Sequence, residues 1–111
     1  MKSYEGKENF IFVSYAHKDS GKVLPILEEL SARGYHIWYD EGIAPGSEWP
    51  ENIAYHLSHC AIVLAFVTPS FAASPNCRRE TTFALSKDKP FVGVFLEETA
   101  LSPGMELQLS A

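Results

Sequence analysis

One acidic residue, Glu80, stands in a pattern that could place it at a reaction centre. Residues 74–80 read Ser-Pro-Asn-Cys-Arg-Arg-Glu and follow a largely apolar stretch. Ser74 can accept a hydrogen bond from a free backbone N–H as an N-cap, and proline suits the first helical position, which needs no N–H. In the helix that this predicts, Glu80, Phe83 and Ala84 share one face. We therefore expect the carboxylate to point inward, either towards a buried partner or as a working acid.

Short apolar strands alternate with amphipathic helices along the chain. The third apolar run has no polar face, as is typical of a strand in the middle of a parallel sheet. The alternation predicts an α/β fold, a parallel sheet flanked by helices, with ligands bound at the carboxyl ends of the strands. Strands are predicted at residues 10–14, 35–39, 61–67 and 91–96, and helices at 23–30, 50–57 and 74–87.

Composition narrows the class of protein. The chain has 111 residues, of which 46% are hydrophobic and 21% charged, and this predicts one globular domain over residues 1–111. The net charge is −5 and no run of Lys or Arg occurs, which argues against nucleic-acid binding. The longest apolar run, residues 61–67, is too short to cross a membrane, and the N-terminus has no signal-peptide pattern. We expect a cytoplasmic domain that binds neither nucleic acid nor membrane.

Cysteine and histidine residues suggest neither a disulfide framework nor a metal centre. His56, His59 and Cys60 share a helical face, but nothing else in the sequence supplies a fourth ligand. Cys77 lies at a helix start, where the pKa of a thiol tends to fall, yet no histidine is fixed beside it as a base. We predict no metal and no resident cofactor, and we do not favour Cys77 as a nucleophile.

Two nucleotide-handling α/β classes do not fit the predicted strand ends. A phosphoacceptor receiver domain needs acids after the first strand and an aspartate after the third. This chain has Ser14 and Tyr15 at the first position and Thr68 and Pro69 at the second. A Rossmann site needs G-x-G-x-x-G after the first strand, where only one glycine occurs, and a P-loop is also missing from the sequence.

Three stretches together resemble the Toll/interleukin-1 receptor (TIR) domains, in their bacterial form. Residues 10–19, Phe-Ile-Phe-Val-Ser-Tyr-Ala-His-Lys-Asp, resemble the family's first-strand motif. Residues 38–49, from Trp-Tyr-Asp to Ser-Glu-Trp, resemble its BB loop, which joins the second strand to the second helix. Residues 74–80 resemble the S-x-x-C-x-x-E stretch that carries the catalytic glutamate in enzymatic members. The resemblance covers residues 9–96 and implies a flavodoxin-like sheet of five parallel strands, so we expect the last strand and helix to be missing.

The resemblance also implies a chemistry. Enzymatic TIR domains cleave the bond between nicotinamide and ribose in NAD, giving ADP-ribose or a cyclic form of it. Departure of nicotinamide leaves an oxocarbenium-like ribose, which the Glu80 carboxylate would stabilise. Nicotinamide could stack on Trp49 or Tyr15. Ser14 and Asp40 could bind ribose or phosphate-side groups.

Cys77 is the remaining predicted binding residue, because it belongs to the same motif as the acid. Many bacterial relatives have Trp directly before this cysteine, where the present chain has Asn76. Structural alternatives stay open for the others: Trp49 could be a packing anchor, Asp40 could cap a turn, and Ser14 and Tyr15 could be ordinary strand-end residues.

Three functions remain open on the sequence. We predict a self-associating NAD-cleaving effector of immune or defence signalling, with NAD as its substrate. Many TIR domains are instead adapters that recruit other TIR domains through the BB loop, here residues 40–49, without catalysis. Glu80 favours the enzyme, since an adapter needs no acid there. A related N-glycosidase acting on another nucleotide or nucleoside is the third possibility.

Overall fold

The computed structural model describes residues 2–40, 49–101 and 103–104, with the backbone alone for Trp49 and Pro50. One turn of 3-10 helix at His17–Asp19 precedes the first α-helix. The strands are β1 (Ile11–Ser14), β2 (Ile37–Trp38), β3 (Ile62–Val67) and β4 (Phe91–Phe95), and the helices are α1 (Ser20–Ala32), α2 (Trp49–His59), α3 (Pro69–Ala73) and α4 (Pro75–Ser86).

Over the described residues the strands form one parallel sheet in the order β2-β1-β3-β4. The register pairs Ser14 of β1 with Ala65 of β3, and Val67 of β3 with Phe95 of β4. β3 lies between two neighbours, which explains why its sequence is apolar on both faces. The predicted α/β fold with a parallel sheet is therefore confirmed. Because the strands are parallel, their carboxyl ends all lie at the same end of the sheet.

Helices cover both faces of the sheet. On one face, α1 packs Val23 and Leu27 against Val13 and Phe66 of the strands. On the other face, α2 and α4 pack against the strands in a second buried cluster. This second cluster contains Phe10, Phe12, Trp38, Ile53, Leu57, Cys60, Val63 and Ala84. No described helix is both long and apolar enough to span a membrane.

Two details differ from the sequence prediction. β2 is shorter than the predicted strand at 35–39, because its ladder with β1 involves Ile37 and Trp38 alone. The short helix α3 was not predicted. Thr68 caps it by accepting a hydrogen bond from the Phe71 N–H at 3.1 Å, and Pro69 follows as the first helical residue. This Thr-Pro pair carries the same signature as the cap and proline that begin α4, so the signal was present in the sequence.

β4 is one of the two outer strands of the sheet, and its Val92, Val94 and Phe95 side chains are exposed. The fifth strand that the family resemblance implies is not among the described residues. The expected absence of a last strand and helix stays a prediction.

Two glycines near the ends of α1, Gly21 inside the helix and Gly34 beyond it, are expected to respond in opposite directions to alanine. Gly34 follows the C-cap of α1 with a φ of +96°, where a side chain is strained whatever the available space. Gly34→Ala should lower the free energy of unfolding by about 1 kcal/mol. Gly21 lies inside α1, and a Cβ added there would meet open space, so Gly21→Ala should raise it by about 0.5 kcal/mol. Urea denaturation of the two variants checks both signs, and equal effects would contradict the assigned helix end.

Candidate active site

Glu80 lies on the inner face of α4 because the start of that helix is fixed. Ser74 Oγ accepts a hydrogen bond from the Cys77 N–H at 3.2 Å, and Pro75 occupies the first helical position. The Glu80 side chain then reaches the carboxyl end of β1 and is only 9% exposed. The predicted N-cap and the predicted inward orientation of the acid are both observed.

The partner of Glu80 is Ser14, the last residue of β1. Ser14 Oγ donates a hydrogen bond to Glu80 Oε1 at 2.8 Å, and Ser14 itself is 1% exposed. Ser14 is held by the pairing of β1 with β3, so the hydroxyl reaches the acid from a rigid element. The side chain stands behind the carboxylate rather than on an open surface, which suits a positioning role better than direct contact with a ligand.

Burial changes the acidity of Glu80. Removal of the carboxylate from water raises its pKa to about 7, the hydrogen bond from Ser14 opposes the rise, and the negative charge of Asp40 adds to it. Both the neutral and the ionised forms are therefore populated at neutral pH. A carboxyl group tuned in this way is typical of catalytic sites, although buried structural acids also show such shifts.

A cleft of about 530 Å³ opens at Glu80, at the carboxyl ends of the strands. Its walls come from the segment after β1, the end of β2, helix α3 and the first turns of α4. Its volume lies in the range of sites for small ligands and cofactors. Polar and aromatic side chains on these walls include Tyr15, His17, Lys18, Asp40, Ser70 and Asn76.

Tyr15 and Asp40 approach each other on one side of this cleft. The Tyr15 hydroxyl donates a hydrogen bond to the Asp40 backbone oxygen at 3.4 Å. His17 Nε2 lies 3.5 Å from Asp40 Oδ2, and the Tyr15 and His17 rings are 5.3 Å apart between centroids. The end of β2 is thus tied to the segment after β1. Of the residues described, two carboxylates, Asp40 and Glu80, line the cleft beside two basic side chains, His17 and Lys18.

Cys77 also lines the cleft, but the expectation that a helix start lowers the pKa of its thiol is wrong. Burial raises the pKa of the thiol to about 11, hydrogen bonding to Ser74 opposes the rise, and the charge of Glu80 adds to it. The side chain packs against Ala65, Val67 and Phe71. Position at a helix start lowers the pKa of an exposed thiol, but here desolvation is the larger effect. Cys77 is therefore a neutral wall residue.

The structure describes Asn76 of the predicted site but not the Trp49 side chain or most of the BB loop. The Trp49 side chain and residues 41–48 of the BB loop lie outside the described residues. Asn76, which replaces the Trp of many bacterial relatives, is exposed at the cleft. Of the predicted binding residues, the structure brings Tyr15, Asp40 and Cys77 to the cleft with Glu80 and places Ser14 behind it.

Sequence reasoning missed a buried polar pair beside the site. Thr68 Oγ1 donates a hydrogen bond to Asp19 Oδ2, and both residues are buried. The same Thr68 hydroxyl caps α3, so Asp19 ties the segment after β1 to the helix that leads into α4. Asp19 is the last residue of the first-strand motif, and its place in that motif was the one sequence feature that could have indicated a structural role.

His56 and His59 use one ring nitrogen within their own helix. The Nδ1 atoms lie 2.8 Å and 2.7 Å from the backbone oxygens of Asn52 and Tyr55, respectively. A carbonyl oxygen can only accept, so each Nδ1 carries the donated proton. Among the described residues there is no group of three or more side chains suited to hold a metal ion.

Glu80→Gln should flatten one part of the pH dependence of stability. The folded-state pKa is about 7 against an ordinary value of 4.5, so the native state binds the proton more tightly than the unfolded state. The resulting stabilisation is complete below pH 4.5 and is lost as pH rises through 7. It amounts to roughly 3 kcal/mol between these limits. Urea denaturation across the range from mildly acidic to mildly alkaline pH should show this loss in the wild type and not in Glu80→Gln.

The matched control is Glu28→Gln, which removes the same charge from an exposed position of α1. It should keep the wild-type dependence on pH. Equal pH slopes for wild type and Glu80→Gln would contradict the assigned burial of the carboxyl group.

Comparisons with known proteins agree with the observed fold. The TIR domain of the Toll-related receptor TRR-2 from Hydra magnipapillata superposes with a TM-score of 0.72 at 17% identity, covering 90% of this chain and 79% of that one. A metazoan TIR-STING receptor from C. gigas gives 0.71 at 17% identity, covering 97% and 39%. The TIR domains of the activated Roq1 resistosome, which directly recognises the pathogen effector XopQ, give 0.66 at 19% identity, covering 79% and 57%.

At these identities the structural similarity establishes the fold alone. No curated protein sequence matches the chain significantly. The family model described as TIR domain matches residues 11–110, which is nearly the whole chain. The match includes every strand and helix of the described sheet, together with Ser14 and Glu80. The chain belongs to the TIR domain family.

Proposed function

We propose that this TIR domain is an NAD nucleosidase that releases nicotinamide and ADP-ribose, or a cyclic form of ADP-ribose. The observation that carries the proposal is the buried carboxyl group of Glu80. It lies at a cleft of ligand size, accepts a hydrogen bond from Ser14, and has a pKa raised to about 7. The acid lies at the carboxyl ends of the strands of a parallel sheet, where ligands of such folds bind.

The proposed reaction breaks the bond between C1′ of the ribose and the nicotinamide nitrogen. The bonding electron pair goes to that nitrogen, which loses its formal positive charge, and positive charge develops on the ribose. The ionised Glu80 stabilises this developing cation, and the low polarity around the buried acid strengthens the attraction. Capture of the cation by water, with loss of a proton, gives ADP-ribose. Capture by an adenine nitrogen gives the cyclic product.

The described neighbours of Glu80 receive roles that follow from their positions, and Trp49 receives one from the family resemblance alone. Ser14 fixes the Glu80 carboxylate and favours its ionised form, because its hydroxyl donates the hydrogen bond. Tyr15 offers an aromatic face to nicotinamide, which is a flat cation. Asp40 accepts hydrogen bonds from ribose hydroxyls. Trp49 as a second stacking surface and Cys77 as a wall residue complete the proposed set.

The proposal includes assembly of several copies. The comparison structures come from a receptor of the Toll-related class, from a TIR-STING receptor and from an activated resistosome. By analogy, this domain acts in the cytoplasm as a signalling or defence effector and associates through its BB loop, residues 40–49. The bacterial form of the family is proposed from the motif at residues 10–19.

The second candidate, an adapter without catalysis, has a weaker physical basis. A half-ionised carboxyl group held out of water destabilises the folded domain at neutral pH. A module that only binds other TIR domains gains nothing from this cost at Glu80, whereas an enzyme gains a strong electrostatic interaction. Association through the BB loop would serve either function, so the acid is the feature that separates them.

Glu80→Gln should greatly slow nicotinamide release. The wild type is clustered on vesicles through a C-terminal tag and incubated with NAD, and nicotinamide is quantified by chromatography. Loss of one electrostatic contact to the transition state costs roughly 100-fold to 1000-fold in rate. Glu28→Gln, a surface change of the same type, should keep wild-type activity. No turnover by the clustered wild type would move the assignment to the adapter, and equal rates for wild type and Glu80→Gln would remove Glu80 from the mechanism.

Ser14→Ala should shift the pH profile towards alkaline values. The Ser14 hydrogen bond lowers the pKa of Glu80, so its removal raises that pKa above about 7 and requires a higher pH for ionisation. Ser31→Ala, on the exposed side of α1, is the control. Nicotinamide release measured from mildly acidic to alkaline pH gives the two profiles, and an unchanged acidic limb in Ser14→Ala would contradict the positioning role.

A further inference from the structure

The N-terminal segment of the chain lies along the outer edge of the sheet at β2. The ladder between β1 and β2 consists of Ile11 with Ile37 and Phe12 with Trp38. On the opposite side of β2, the Tyr4 N–H donates a hydrogen bond to the Ile37 backbone oxygen at 2.8 Å. Residues 2–9, here called the strap, therefore contact the edge of β2 that no other strand of the described chain occupies.

Ser3 holds both backbone groups of the residue that follows β2. Its Oγ accepts a hydrogen bond from the Tyr39 N–H at 3.0 Å and donates one to the Tyr39 backbone oxygen. One hydroxyl thus takes the place of a neighbouring strand at Tyr39. A serine or threonine is needed for this, because the group must donate and accept at once.

Further contacts fix the strap on the domain. The Tyr4 ring stacks on His36 with centroids 3.9 Å apart. Glu5 Oε1 accepts a hydrogen bond from Trp38 Nε1 at 3.2 Å, and Glu5 Oε2 lies 3.6 Å from His56 Nε2. The strap also folds closely upon itself, because a Cβ on Gly6 would collide with the hydroxyl end of the Tyr4 side chain. Glycine is therefore required at that position for the observed place of the Tyr4 ring.

The residue after Tyr39 is Asp40, which lines the cleft beside Glu80. We propose that the strap positions Asp40 in the cleft and that Ser3 is the positioning residue through its two bonds to Tyr39. The consequence for catalysis rests on the proposed NAD cleavage, whereas the geometric part does not. Nothing in the motif at residues 74–80 points to a contribution from the first residues of the chain.

The charge of Asp40 supplies a readout for its position. In the part of the chain that the structure describes, the groups around the Glu80 carboxyl are Ser14 from β1, Asp40 after β2 and Cys77 from α4, with His17 and Lys18 on the same cleft. Asp40 raises the pKa of Glu80. If the strap is released and Asp40 moves away, this repulsion weakens and the pKa of Glu80 falls.

The experiment measures two signals by NMR in the full chain, neither of which requires NAD. One is the exchange rate of the Tyr39 amide hydrogen. The other is the titration of the Glu80 side-chain carboxyl carbon, assigned by its absence from Glu80→Gln. In Ser3→Ala, Tyr39 exchange should accelerate roughly five- to tenfold, as expected when the hydrogen bond of the Tyr39 N–H itself is lost, and the Glu80 midpoint should move to lower pH. Ser3→Thr should restore both signals, and Ser31→Ala should change neither.

Gly6→Ala provides a second variant that leaves Ser3 and Tyr39 chemically intact. Its added methyl group displaces Tyr4, so it should move both signals in the same direction as Ser3→Ala. Wild-type Tyr39 exchange together with a wild-type Glu80 midpoint in Ser3→Ala would overturn the proposal. Faster Tyr39 exchange with an unmoved Glu80 midpoint would also overturn it, because the strap would then be a structural contact only. If both signals move but the clustered wild type releases no nicotinamide, the strap stands and the proposed enzyme does not.

Discussion

The hydrogen bond between Ser14 and Glu80 joins the last residue of a central strand to the inner face of a helix, and both residues are buried. A buried carboxyl group tolerates little displacement, because a single hydroxyl must offset the loss of its hydration. The surrounding elements are arranged to keep these two side chains in place. β1 is fixed by its ladder with β3, and α4 begins at the Ser74 cap.

Even with this bond, the acid remains only partly ionised at neutral pH. Burial dominates the pKa of Glu80, and Asp40 on the opposite wall adds repulsion. Among the described residues, the cleft therefore contains two carboxyl groups whose charges disfavour each other. His17 Nε2 lies 3.5 Å from Asp40 Oδ2. A positively charged ligand group placed between Asp40 and Glu80 would relieve that repulsion and favour the ionised acid. The nicotinamide ring of NAD, and the ribose cation formed after it leaves, both have the required charge.

The sequence was a good guide to local features and a poor guide to contacts between distant segments. The Ser74 cap, the inward face of Glu80 and the central position of β3 all follow from spacing along one element, and all are observed. The partner of Glu80 lies 66 residues earlier, and Ser3 and Tyr39 are 36 residues apart, so no local pattern relates them. For Cys77 a local rule gave the wrong result. Its position at a helix start predicts a lowered thiol pKa, but burial raises that pKa, and only the packed structure reveals the burial.

The most direct test of the proposed role of Glu80 is the titration of its carboxyl carbon in the unclustered domain, alone, with NAD and with the reduced dinucleotide. We predict a midpoint near pH 7 for the free domain. We also predict a clear fall of that midpoint with NAD, and a smaller change with the reduced form, whose nicotinamide ring carries no positive charge. A midpoint at the ordinary value of 4.5 in the free domain, or one that responds equally to both dinucleotides, would contradict this role.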